Sequence, residues 1–185
     1  MTSSEHSANV LGALALVLHD RMSEALSAAA GQPETGAAAL SLLAQFMQRP
    51  RVGLLHRALG LTPSGAVRLL DKLEAAGWIR RGPGTDGRST SVRLTAAGRR
   101  AARRVAAARA AVLDDALAVL SDEQRVVLDD LVSRLLVGLM RDPGATRWMC
   151  RLCDAGACGH AEGACPVGAE ARRRWGRART STAAG

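Results

Sequence analysis

The apolar positions divide the chain into helical stretches with one short interruption. Val10, Leu11, Leu14, Val17, Leu18, Met22 and Leu26 recur at helical spacing and predict a first helix, closed by Gly31-Gln32-Pro33. Residues 37–47 read as a second helix, stopped ahead of Pro50. Residues 52–59 read as a short third one, closed by Gly60. Thr62-Pro63 opens a fourth, with a hydroxyl N-cap and a proline at the first helical position, where a missing N–H costs nothing. That helix runs to about Ala76 and stops at Gly77. The period then changes. Residues 78–81 and 91–94 are short extended stretches around a segment dense in turn formers, which predicts a two-stranded hairpin with a long loop. Thr95 caps an alanine-rich helix to about Val119. Ser121 and Gln124, at capping-box spacing, begin the last long helix, which ends near Asp142-Pro143-Gly144.

The fourth helix carries the first functional signal. At about 100° per residue, Ser64, Arg68, Lys72 and Ala75 share one side, flanked by Gly65 and Asp71, while Ala66, Leu69, Leu70 and Leu73 share the other. A helix entering the major groove needs small residues at its leading end, free N–H groups for phosphate, and cations further along to clamp phosphate or read guanine. Thr62, Ser64, Gly65, Arg68 and Lys72 meet that description. The plain alternative is an amphipathic surface helix with a solvated charged face. The hairpin favours DNA. Its loop carries Asp86, Arg88 and Ser89, and its strands carry Arg80, Arg81 and Arg93. An arginine on a projecting ribbon suits the narrow, electronegative minor groove, and Asp86 is spaced to hold Arg88.

Charge strengthens this reading. The 185 residues carry 25 Lys+Arg against 17 Asp+Glu, a net charge of +8, and residues 49–109 alone hold a net +11 between two acidic flanks. A basic middle on an otherwise ordinary body marks a polyanion-binding surface. The expected fold is therefore mainly α, a winged helix-turn-helix with long N- and C-terminal helices.

The stretch from Gly53 to Arg104, GLLHRALGLTPSGAVRLLDKLEAAGWIRRGPGTDGRSTSVRLTAAGRRAARR, resembles the MarR family of bacterial transcriptional regulators. The blocks LDKLEAAGWIRR, TDGRS and LTAAG carry the resemblance. It implies a homodimer that binds double-stranded DNA, with each recognition helix in one half-site and each wing in the flanking minor groove. It places Asp86 and Arg88 as the wing pair and Ser64, Gly65 and Arg68 at base- and phosphate-facing positions. It also implies dimerisation through the terminal helices. The N-terminal stripe with Val105, Val112, Leu113, Leu117, Leu128, Leu131, Leu135 and Leu136 permits this, shared with intrachain core. Many members bind a small-molecule effector between these parts. Here His19, Phe46, Met47 and His56 are the candidates for such a pocket.

Other classes are disfavoured. The longest apolar run, residues 10–18, is far below the ~18 residues a membrane span needs. No basic residue precedes Arg21, so a secretory signal is not expected and the protein is read as cytoplasmic. No nucleophile–base pair or phosphate loop suggests an enzyme. The expected function is a dimeric repressor released by a small ligand or by metal or thiol chemistry. The alternative is a metal- or redox-responsive module whose winged helix binds protein.

The chain divides into a DNA-binding and dimerisation domain at 1–143, with its DNA-reading part at about 50–95 and its dimerisation helices at about 8–30 and 95–141. A Cys-rich segment follows at 144–168, then a basic flexible tail at 169–185. All four cysteines, Cys150, Cys153, Cys158 and Cys165, lie in the middle segment, with His160 among them. Thiolates at this density suit one soft metal. Zinc on the four cysteines is the first reading, with His160 replacing Cys158 as a variant. An iron–sulfur cluster is the second, since Cys165-Pro166 fits a cluster-ligand context. Two disulfides are the third; a cytosolic location disfavours stable ones, though reversible oxidation could serve as a switch. The tail's Arg172, Arg173, Arg174, Arg177 and Arg179 either add phosphate contacts or are simply solvated.

Overall fold

A computed structural model describes residues 2–84 and 89–176. The elements run α1 (Ser3–Ala30), α2 (Glu34–Gln45), α3 (Val52–Ala58), α4 (Pro63–Ala75), β1 (Ile79–Pro83), β2 (Thr90–Leu94), α5 (Ala96–Leu117), α6 (Asp122–Gly138), α7 (Ala145–Met149) and α8 (Pro166–Trp175). Hydroxyl residues cap α1, α4, α5 and α6: Thr2, Thr62, Thr95 and Ser121 each accept a backbone N–H of the first turn. The capping box expected at Ser121 is present, with Gln124 reaching back to the cap.

Two apolar cores form the body. In the first, α4 turns Leu69, Leu70 and Leu73 against Leu42 and Leu43 of α2, Leu55 of α3, and Ile79 and Val92 of the hairpin. In the second, Leu26 and Ala30 of α1 and Leu40 of α2 meet Ala101, Ala102 and Val105 of α5. Alanines let α1, α2 and α5 approach closely. β1 and β2 pair antiparallel, with Arg80 opposite Arg93 and Ile79 opposite Leu94. The chain entering α3 adds a third short edge: Arg51 bridges Ser91, and Val92 N–H donates to Pro50 O at 3.1 Å. This is a winged helix-turn-helix carried on long helices, as expected.

The LTAAG block acquires a physical reason. Thr95 Oγ1 donates to Gly77 O at 2.7 Å and accepts Gly98 N–H at 3.0 Å. A Cβ on Gly98 would stand 1.9 Å from Trp78 O. The hairpin's root therefore presses directly on the first turn of α5, and only glycine leaves room.

The dimerisation stripe divides. Val105 is fully buried within the chain. By contrast α6 buries none of its residues, and Leu131 and Leu135 are about half exposed. The C-terminus departs from expectation. Residues read as a flexible tail from 169 are helical to Trp175. The Cys165-Pro166 start caps α8, and Glu170 pairs with Arg173 and Arg174 one turn on. Arg177 and Arg179 lie outside the described residues. Among those described, no helix is long and apolar enough to cross a membrane.

Gly98→Ala is expected to lower unfolding stability by about 1–3 kcal/mol through overpacking. The ~1 kcal/mol that alanine normally gains over glycine in a helix does not offset a clash with backbone. Urea denaturation followed by circular dichroism measures it.

Candidate nucleic-acid interface

α4 presents the two faces its sequence predicts. Ala66, Leu69, Leu70 and Leu73 are buried, while Ser64, Arg68, Lys72 and Ala75 are exposed. Thr62 Oγ1 accepts Gly65 N–H at 3.1 Å and lies 3.3 Å from Ser64 Oγ. Gly65 serves this capping turn: a Cβ there would stand 3.1 Å from Thr62 Oγ1. It is half-buried rather than presented outward like Ser64. Val67, which the sequence reading did not single out, is exposed on the same helix. An apolar side chain at such a place suits a thymine methyl. Asp86 and Arg88 lie outside the described residues.

The hairpin arginines separate by strand alternation. Arg81, expected among the wing cations, is tied to α4. Its Nη2 donates to Asp71 Oδ1 at 2.6 Å, its backbone N–H donates to Glu74 Oε1 at 2.9 Å, and its Nε lies 3.6 Å from Glu74 Oε2. Both partners lie one turn apart on α4, so one arginine fixes the angle between α4 and the hairpin. Asp71, which flanks the basic face in the sequence reading, is engaged by this contact. The spacing of Asp71, Glu74 and Arg81 was visible in the sequence, but only the return of β1 alongside α4 brings them together.

Arg80 and Arg93 instead border a cleft of about 860 Å³ between the hairpin, the end of α2 and the start of α5. Arg49, Arg99 and Arg103 line it too, with Gln45 and Gln48, and Asp154 at its edge. The concentration of guanidinium groups makes it electropositive. The residues considered earlier for an effector pocket are scattered. Phe46 and Met47 line a separate cavity of about 190 Å³ beside Cys150, His160 and Cys165. His19 borders another, and His56 Nδ1 lies 3.2 Å from Leu61 O.

The four cysteines gather in one small core with Met140, Ala145 and Val167. All are free thiols. They are hydrogen-bonded in two pairs, Cys150 with Cys153 and Cys158 with Cys165. The bond from Cys150, with help from the Arg109 charge, holds Cys153 down at about 6, while the same bond and burial push Cys150 up. Burial, with the Cys165 contact, pushes Cys158 up to about 12. Gly168 N–H donates to Cys165 Sγ at 3.4 Å. His160 stands edge-on to Phe46, ring centres 5.4 Å apart. Among the described residues, no three His, Cys, Asp or Glu side chains already converge as a closed metal-ligand set.

Comparison with known proteins gives the architecture its place. The MarR family model matches residues 37–89, which span α2 to the wing. No curated protein sequence matches. A MarR family transcriptional regulator from Streptomyces coelicolor, solved in complex with DNA, is 25% identical. It aligns over 77% of this chain and 92% of its own, with a TM-score of 0.61. A MarR family protein from Mycobacterium tuberculosis, solved with salicylic acid, is 31% identical over 68% of this chain and 93% of its own, with a TM-score of 0.53. A Bacillus subtilis protein, 21% identical, shares the fold over 73% of this chain and 97% of its own, with a TM-score of 0.61. The winged helix, its carrying helices and the identity shared with these regulators lead to one conclusion: this chain belongs to the MarR family of transcriptional regulators.

Proposed function

We propose that the chain works as a homodimeric repressor that binds a specific DNA site through α4 and the wing and is released by a small organic anion. The observation that carries the DNA reading is the outward face of α4. Its leading end is small, Arg68 and Lys72 follow at one-turn spacing, and Arg81 locks the helix against the hairpin. Thr62, Ser64 and Gly65 form the leading end, and Asp86 and Arg88 belong to the wing by resemblance. The DNA complex of the Streptomyces coelicolor regulator supports this use of the fold.

Dimerisation is supported by two unpartnered apolar faces. On α1, Val10, Leu11, Leu14, Leu16 and Val17 are exposed. On α6, Val126, Val127, Leu131, Val132, Leu135 and Leu139 are exposed. Each such side chain gains about 1.5–3 kcal/mol on full burial, so leaving them in water is costly. A second copy supplies a surface of matching chemistry for both. A self-complementary interface of this kind closes as a two-fold dimer.

The arginine-lined cleft between the hairpin and α5 supports an anionic effector. The salicylic acid complex of the Mycobacterium tuberculosis relative supports an aromatic carboxylate as its chemistry. An anion there draws α2, the hairpin and α5 together and shifts the spacing between the two recognition helices of a dimer. Chemistry at the cysteines, which sit against the end of α2, is the alternative route to release.

Arg68→Ala is expected to weaken binding to the DNA upstream of the chain's own gene by about 1–3 kcal/mol in a gel shift. Wild-type affinity should also fall steeply with added salt as counterions return to the phosphates. Leu131→Arg is expected to convert a dimer to a monomer by size-exclusion chromatography with light scattering. Unchanged mass would remove α6 from the interface. Salicylate is expected to lower operator affinity, and Arg103→Ala to raise its half-effective concentration about tenfold, the scale of one charge-assisted hydrogen bond.

A further inference from the structure

Residues 140–176 form a unit too small to hold itself together by apolar burial. Its core is Met140, Ala145, Cys150, Cys165 and Val167, bordered by Cys153, Cys158 and Phe46 of α2. Units below about 40 residues usually need a disulfide, a metal or an oligomeric partner. Between α7 and α8 the chain makes only turns, with Gly159 and Gly163 at φ of 60° and 80°. Nothing regular links the two short helices.

The cysteines are placed to supply that link. Cys150 ends α7 and Cys165 caps α8, and both are buried. Cys150 bonds Cys153 across a turn closed by Cys153 N–H to Cys150 O at 3.0 Å. Cys158 bonds Cys165 across the turn that leads into α8. Each pair is local in sequence. A disulfide within each would close a short loop and leave the two halves unconnected. One ion that takes both pairs joins α7 to α8. The donor set is four sulfurs without a carboxylate, which selects a soft, tetrahedral metal. The N–H donated by Gly168 to Cys165 Sγ is the outer contact that steadies a ligating thiolate.

We infer that Cys150, Cys153, Cys158 and Cys165 together bind one zinc ion, a structural centre that clamps α7 and α8 onto the end of α2. The two hydrogen-bonded pairs rotate onto the ion, and each thiol releases its proton to solvent as it ligates. His160 stays outside the ligand set, held edge-on against Phe46. Phe46 and the Gln45 Oε1 that accepts Ala155 N–H at 3.3 Å carry the clamp to the DNA-binding lobe.

The test uses the full chain, purified without chelators, and its readouts are independent of DNA. Elemental analysis is expected to find one zinc per chain. One equivalent of cobalt(II) added to metal-free protein should produce the intense visible absorbance of tetrahedral thiolate coordination, which zinc then bleaches. Cys153→Ser and Cys158→Ser, both at half-exposed positions, should each weaken zinc binding at least tenfold, and His160→Ala should leave it unchanged. Zinc should also slow proteolysis within 140–176 in the wild-type chain, a readout that needs no variant. The proposal is overturned by thiols that stay freely alkylated in the presence of zinc. Iron with sulfide and a brown colour, or a mass lowered by disulfide formation in the purified chain, would also overturn it. A tenfold loss in His160→Ala would overturn the ligand set.

Discussion

The joint between the hairpin and α5 is the constraint on which the rest depends. Thr95 N–H donates to Trp78 O at 2.9 Å, its hydroxyl donates to Gly77 O, and Gly98 leaves the space that Trp78 O occupies. Trp78 and Leu94 pack against both apolar cores at once. One side of this joint carries α3, α4 and the wing; the other carries α1 and α5. Close-packed side chains and these hydrogen bonds hold the two sides of the joint in one fixed relation.

The arginines do separate kinds of work despite their shared charge. Arg81 is spent at the lobe's surface, where Asp71 and Glu74 fix the hairpin against α4. Exposed ion pairs of this sort contribute little stability, so their value is geometric: a planar guanidinium with several donors holds an angle. Arg68 stands free of that contact on the outer face of α4. Arg80 and Arg93, neighbours across the ladder, turn to the cleft with Arg99 and Arg103. Like charges facing one another across a strand pair repel, and this pair adds to the positive potential of the cleft.

The C-terminal unit shows how a small segment is added to a finished domain. It contributes a core of a few side chains, borrows Phe46 and Gln45 from α2, and places two thiols where larger proteins place leucine or valine. Its closing helix is held by Glu170, which Arg173 and Arg174 keep ionised at about 2. Because the unit rests on the end of α2, its order bears on the arginine cleft, whose edge includes Asp154.

Periodicity, caps and turn residues are local properties, and the sequence by itself determined what rests on them. It set the order of the first six helices and the hairpin, the two faces of α4, the capping box at Ser121 and the gathering of four thiols in one segment. It also carried the LTAAG block without its reason, since the carbonyl that excludes a Cβ at Gly98 comes from a residue twenty positions earlier. Tertiary structure alone decided what each charge and apolar side chain meets. It turned Arg81 inward to Asp71 and Arg80 outward to the cleft, buried Val105 while leaving Leu131 and Leu135 in water, and ordered residues 169–175 as a helix. Those outcomes depend on contacts between elements distant along the chain, and a single residue's chemistry holds no record of which neighbour the fold will bring to it.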